Sequence, residues 1–208
     1  MTTPEWLKIA RELHAMSQVG LEYAQNGYET ERYVRLRELA AEIISKQSAL
    51  SEEEVQESFA MQPGYITPKI DVRAAVFRDG KILLVKEAND GRWSLPGGWA
   101  DVGDTPSQAI IREVREESGF DVRVLSVVGI YDANRAPDET MMPFYHAYKI
   151  LFLATIIGGE ARSSHETPAV GFFGLGELPP LSIHRTNRGI IEDAFALAEN
   201  SSKGTVFE

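Results

Sequence analysis

"GWADVGDTPSQAIIREVREESGF", Gly98 to Phe120, is the stretch on which the reading of this chain turns. Its second half opens like a helix. Thr105 is a capping hydroxyl, Pro106 suits the first helical position, and Gln108 completes a capping box. Ser118-Gly119 closes it, glycine being suited to a left-handed stop. This spacing predicts a helix of about 13 residues. Its last turns carry Glu113, Glu116 and Glu117. At about 100° per residue these span an arc of roughly 100°. They sit at the negative end of the helix dipole, which disfavours carboxylates, and repel one another. Arg112, four residues before Glu116, is within ion-pair reach, while Ile110 and Val114 lie on another face and can enter a core. Two readings of the glutamates are open at this point. One is a solvated charged face. The other is a site for a hard cation such as magnesium, whose arrival would relieve the repulsion. The preceding "LPGGW" would let backbone approach such a site closely.

The rest of the chain narrows the options. Of its 208 residues, 43% are hydrophobic and 25% charged, an ordinary balance for a globular protein. It has no cysteine, which excludes disulfides, thiolate metal sites and a cysteine nucleophile. The net charge is -10. Residues 1–66 carry 6 basic and 11 acidic side chains and residues 67–208 carry 15 and 20, so neither part is a basic arm. Binding to duplex nucleic acid is therefore not expected. An acidic protein can still bind phosphates through a bridging metal ion. Met1 to Trp6 does not read as a signal peptide, and no apolar run reaches 18 residues, so a cytoplasmic protein without a membrane span is expected.

Residues 1–66 read as helical. Trp6, Leu7, Ala10, Leu13 and Met16 recur at spacings of three and four, as do Tyr33, Leu36, Ala40, Ile43 and Ile44. Gly20 and "NGYET" (Asn26 to Thr30) are expected to break the pattern between them, and Ser51 to cap a third short helix. "QPGYITPK", Gln62 to Lys69, marks a boundary near residue 66. From Lys69 the period changes to that of strands, with a hairpin signal at Asp79-Gly80. "FDVRVLSVVGIYDA", "FYHAYKILFLATII" and Gly171 to Gly174 follow as strand candidates, and "TNRGIIEDAFALAEN" as a closing helix. Strands mixed with two helices, without regular alternation, indicate an α/β or α+β layer fold.

The segment resembles the Nudix box: glycine, five residues, glutamate, seven residues, then Arg-Glu, an aliphatic residue, any residue, Glu-Glu, any residue, glycine and an aliphatic residue. Gly98 begins the match, and Arg112-Glu113-Val114-Arg115-Glu116-Glu117-Ser118-Gly119-Phe120 completes it. Two positions depart: Asp104 stands where the pattern has its first glutamate, and Phe120 is an aromatic variant of the last position. Asp104 keeps a carboxylate on a shorter stem, which bears more on loop geometry than on metal binding. "YITPKIDVRAAVF" and "FFGLGELPPLSIHR", with the helical segment, extend the resemblance to a bacterial Nudix subgroup related to CDP-choline pyrophosphatase, whose members are often called ADP-ribose pyrophosphatase.

The resemblance implies an α/β/α sandwich around a mixed sheet, preceded by a small all-α domain that contributes to a homodimer. It implies metal-dependent hydrolysis of the pyrophosphate bond of a nucleoside diphosphate derivative, CDP-choline or ADP-ribose. Mg2+ would be the cofactor, with Mn2+ as a substitute. Glu113, Glu116 and Glu117 would be metal ligands, with Gly97 or Gly98 offering backbone contact and Arg112 orienting the glutamates. Glu116 and Arg112 would thereby take part in catalysis, and Glu166 is the candidate extra ligand or base. For the substrate, Arg73 is placed to reach a phosphate. Trp93 and Phe172 lead the aromatic candidates, which also include Tyr131, Phe144, Tyr148 and Phe173. Two other functions stay in view: RNA exonuclease or RNA-end hydrolysis, and a Nudix-like ligand sensor without catalysis. The intact Arg112, Glu113, Glu116 and Glu117 set argues against the sensor.

Overall fold

A computed structural model of the chain describes residues 4–60, 67–133, 146–200 and 202–208. Phe144 and the expected boundary at residue 66 lie outside them. The described residues fall into two compact units, one formed by three N-terminal helices and the other by a sheet with two helices.

The helical unit comprises α1 (Glu5–Tyr23), α2 (Gly27–Gln47) and α3 (Glu52–Ala60). Ala10, Ala40, Ala41, Ile44, Val55 and Phe59 form its core, flanked by Trp6, Leu13, Ile43 and Leu50. The expected break at Gly20 does not occur, since α1 continues to Tyr23. A β-carbon on Gly20 would stand 2.2 Å from the Tyr33 ring, so this glycine permits close packing of α1 on α2. The chain turns at Ala24–Asn26, where the Asn26 side chain caps α2 by accepting from the Glu29 amide at 3.0 Å. Ser51 caps α3: its Oγ accepts from the Glu54 amide at 3.2 Å, and Glu54 accepts in return from the Ser51 amide.

The second unit contains β1 (Lys69–Arg78), β2 (Lys81–Lys86), β3 (Trp93–Ser94), α4 (Pro106–Ser118), β4 (Phe120–Asp132), β5 (Ala147–Gly159), β6 (Ala169–Phe173), α5 (Arg188–Glu199) and β7 (Val206–Phe207). The hairpin at Asp79-Gly80 forms as expected, both residues having positive φ (52° and 72°). The strands run β3-β2-β1-β5-β4-β7, with β6 also on β2. β1 pairs parallel to β5, and β2 with β1 and β4 with β5 are antiparallel, so the sheet is mixed. Alternation along β1 divides its faces. Val72, Ala74 and Val76 pack with Ala109, Ile110 and Val114 of α4, while Ala75 packs with Ile190, Ile191 and Ala194 of α5. The result is the α/β/α sandwich, with a helical unit before it.

Two short strands carried no pattern in the sequence. β3 has two residues and is held by Val85↔Ser94 and Lys86↔Trp93, and β7 has two residues beside Gly129 and Ile130. A two-residue strand has no period to detect.

Candidate active site

Helix α4 spans Pro106 to Ser118 with the capping box complete: the Thr105 hydroxyl accepts from the Gln108 amide, and Gln108 Oε1 accepts from the Thr105 amide at 3.0 Å. Gly119 stops it in the left-handed conformation at φ 78°. The apolar residues Ala109, Ile110 and Val114 fix the helix on the sheet, and that rotation determines where the glutamates point. Glu117 is buried and Glu113 half-buried, whereas the Glu116 side chain is 60% exposed.

The strand-like segment Pro96–Ala100 lies along the start of β1, with the Val72 amide donating to the Gly98 carbonyl (2.8 Å), Ala74 to Pro96 (3.0 Å) and Ala100 to Ile70 (3.0 Å). Gly97 has φ 136°, and a β-carbon there would lie 2.0 Å from the Val72 carbonyl oxygen. Its amide donates to Glu117 Oε2 at 2.8 Å. A β-carbon on Gly98 would stand 2.9 Å from Glu113 Oε2. The two glycines thus bring bare backbone against two carboxylates of α4.

Arg112 organises the outer side. Its guanidinium reaches Glu113 at 2.8 Å, Glu116 at 3.1 Å, Asp101 at 3.0 Å and Asp104 at 3.6 Å. Burial pushes Glu113 above the usual carboxylate range, against the pull of Arg112. Burial likewise pushes Glu117 up to about 7; Arg73 and the Gly97 amide oppose this, while Glu87 and Glu113 add to it. Where they stand, the negative charge on Glu113 and Glu117 is therefore disfavoured. Among the described residues no three His, Cys, Asp or Glu side chains stand close enough to enclose a metal ion. Arg112 holds Glu113 and Glu116, and the Gly97 amide holds Glu117. The donor chemistry suits a hard divalent ion, and the side chains are arranged around Arg112.

The other expected site residues are dispersed. The Glu166 carboxylate is exposed and faces His165 Nε2 at 3.4 Å. Its backbone lies beside the site, because the Glu166 carbonyl accepts from Ala88 (2.9 Å) and the Thr167 hydroxyl donates to the Glu117 carbonyl (2.6 Å). Arg73 is buried and engaged, donating to Asp71 Oδ1 at 3.0 Å and to the Leu95 carbonyl at 3.1 Å. Trp93 packs edge-on against Phe173 at 4.8 Å on the α5 face of the sheet. Phe172 lies on the α4 face, 5.8 Å from Phe120, with Arg78 over its ring at 4.8 Å. Trp93 and Phe172 are thus not brought together. Tyr131 is buried against Asp193 (3.1 Å), and Tyr148 is exposed.

The structure also gathers residues that carried no signal in the sequence. Glu87 is buried, bonded to the Ser94 hydroxyl and 3.4 Å from Arg185 Nε, and its charge reaches Glu117. A single glutamate at the end of a strand has no spacing to mark it. Lys149 is buried between Asp71 Oδ2 (3.4 Å) and the carbonyls of His184 and Arg185, and burial lowers it to about 8. Its partners are distant in sequence.

Residues 67–194 match the NUDIX domain, and residues 4–59 match the "UDP-X-like, N-terminal oligomerisation domain". The chain belongs to the Nudix family. It is 34% identical over 204 residues to a Bacillus subtilis protein provisionally named an ADP-ribose pyrophosphatase, covering 98% of this chain and 97% of that one. An ADP-ribose pyrophosphatase of Methanocaldococcus jannaschii is 36% identical over 121 residues, covering 57% of this chain and 69% of its own. The crystal structure of a UDP-X diphosphatase aligns with a TM-score of 0.63 at 30% identity, covering both chains fully. The Streptococcus suis ADP-ribose pyrophosphatase structure aligns at 0.62 and 39% identity, covering 68% of this Nudix chain and all of its own. No helix among the described residues is long and apolar enough to cross a membrane.

Proposed function

We propose that this Nudix hydrolase cleaves the pyrophosphate bond of a nucleoside diphosphate joined to a second group, with ADP-ribose as the leading substrate. The observation that carries this reading is the presentation of Glu113 and Glu117 by α4 against the backbone of Gly97 and Gly98. Relatives named for ADP-ribose support the substrate. CDP-choline and UDP-linked compounds are the comparison substrates, the latter because of the full-length UDP-X diphosphatase likeness.

Glu113, Glu116 and Glu117 would hold magnesium, or manganese in its place. When bound, the cation neutralises diphosphate oxygens and makes its water a better nucleophile. The Gly97 amide keeps one Glu117 oxygen in place and leaves the other carboxylate oxygen to act. Arg112 orients Glu113 and Glu116. Glu166 accepts the proton of the attacking water once its exposed side chain turns from His165. Water oxygen bonds to phosphorus, the bridging P–O bond breaks, and ADP-ribose yields AMP and ribose 5-phosphate.

Turnover of ADP-ribose, CDP-choline, a UDP-sugar and short RNA, each with magnesium or manganese, tests the proposal. ADP-ribose is expected to give the highest kcat/KM. Cleavage of RNA alone would replace the substrate class, and failure on all substrates would favour the sensor.

The helical unit is proposed to form a homodimer, as its family description supports. On α1 the side chains of Ile9, Met16 and Tyr23 recur every seven residues and are 46%, 52% and 69% exposed, an apolar stripe beside the core-facing one. Light scattering of the full chain should report a dimer and Met16→Glu a monomer. A monomeric wild type would refute this part.

A further inference from the structure

The loop between Ala100 and α4 carries two aspartates, and both approach Arg112. Asp104 occupies the position at which the Nudix box has a longer glutamate, and its Oδ2 stops 3.6 Å from Arg112 Nε, outside hydrogen-bond range. Asp101, three residues earlier, makes the contact instead: its Oδ2 accepts from Arg112 Nη2 at 3.0 Å. The other terminal nitrogen, Nη1, bridges Glu113 and Glu116. One guanidinium is thus divided between two loop aspartates and two helix glutamates. A planar fork with five donors can do this, and a lysine could not.

We propose that Asp101 is a positioning residue. It supplies the reach that Asp104 lacks and gives Arg112 a counter-charge on the loop side, to which the guanidinium can withdraw when a divalent cation takes its place on Glu113 and Glu116. The inference rests on the reading of those glutamates as cation ligands. Its physical basis is competition. A cation arriving at Glu113 and Glu116 must displace Nη1 from them, and the displaced arginine keeps a counter-charge only on the loop side. Without Asp101, Arg112 retains one aspartate at 3.6 Å and remains on the glutamates more of the time. The Asp101 side chain is 73% exposed and that of Arg112 34%. A pair so placed is worth little in isolation, which limits the expected change in cation affinity to about two- to fivefold.

Manganese alone, titrated into the full-length protein and counted by the electron-paramagnetic resonance of the free ion, reads this affinity without turnover. Asp101→Asn should weaken binding about two- to fivefold. Asp101→Asn combined with Asp104→Glu, which restores the longer stem, should recover the wild-type affinity. Removing any nearby negative charge would also weaken a cation, so the deciding comparison uses Arg112→Gln. In that background Asp101→Asn should have no further effect, because the aspartate acts through the arginine. An equal loss in that background, no loss in the single variant, or no recovery with Asp104→Glu would each overturn the inference. A wild type that binds manganese while Asp101→Asn leaves it unchanged removes this inference alone. A wild type that binds none removes the cation reading with it. Thermal melts of each variant, expected within about 2 °C of wild type for the loop positions and a few degrees lower for the half-buried Arg112, show that the fold is retained.

Discussion

Adjacent glycines should respond to the same substitution in opposite ways. Gly98→Ala leaves the backbone in an ordinary conformation, and its new methyl meets only the end of the Glu113 side chain, with Oε2 at 2.9 Å and Cδ at 3.3 Å. A flexible side chain can give way there, so stability should change by less than about 1 kcal/mol. Glu113 must move by several tenths of an ångström, away from the position its Arg112 contact at 2.8 Å defines. Misplacement on that scale at a reacting centre costs roughly 10- to 100-fold in rate. Gly97→Ala meets backbone instead: φ is 136° and the Val72 carbonyl oxygen would be 2.0 Å away. Left-handed strain of about 1–3 kcal/mol and a clash worth a further ~1–3 kcal/mol add to several kcal/mol. Urea unfolding of both variants, with kcat and KM for ADP-ribose at saturating magnesium, separates the effects. Gly98→Ala should be stable and slow, and Gly97→Ala should be destabilised. Full activity in Gly98→Ala, or equal instability in both, would refute the assignment of backbone approach to Glu113 at one glycine and to the sheet at the other.

Other outcomes can be checked alongside. Glu117→Gln keeps an acceptor for the Gly97 amide while removing a buried charge; magnesium-dependent turnover should vanish, with the unfolding midpoint unchanged or raised, and wild-type rates would dismiss Glu117 as a ligand. Thr105→Ala removes the α4 cap and should lower stability by about 1 kcal/mol in urea unfolding. His14 is stacked on Phe59 at 3.6 Å with its Nε2 unpartnered among the described residues, and burial, with Arg37 second, lowers it to about 4 from 6.5. The unfolded chain therefore binds a proton that the folded one refuses between those values. The stability is present above pH 6.5 and is lost as pH falls towards 4, by at most roughly 2–3 kcal/mol at pH 4.5. Circular dichroism melts at pH 7.5 and 4.5 should show this loss shrinking in His14→Phe, and an identical loss would rule His14 out.

Helix α4 is legible from local rules, because each of its signals acts within a few residues: Thr105, Pro106 and Gln108 at one end, Gly119 at the other, and a 3.6-residue period between. The Asp79-Gly80 hairpin is legible for the same reason. Gly20 misleads because a glycine that admits a neighbouring ring and one that ends a helix look alike in sequence, and Tyr33 belongs to the next helix. The site is half legible. The spacing of the box announces Arg112 and its glutamates, but the division of Arg112 among four carboxylates depends on how the loop at Asp101 folds back. Glu87, Lys149 and Thr167 meet their partners only through strand pairing and loop packing, for which no short spacing exists.

Leu95, Pro96 and Gly97 are engaged on several sides at once. The Leu95 amide donates to the Thr186 hydroxyl (2.9 Å), its carbonyl accepts from Arg73, the Pro96 carbonyl accepts from the Ala74 amide, and the Gly97 amide donates to Glu117. A stretch so committed cannot change length, since adding or deleting one residue would shift every pairing by one place. Insertions and deletions among descendants of this chain should therefore fall outside the three residues before Gly98, whose side chains can vary more readily than their number.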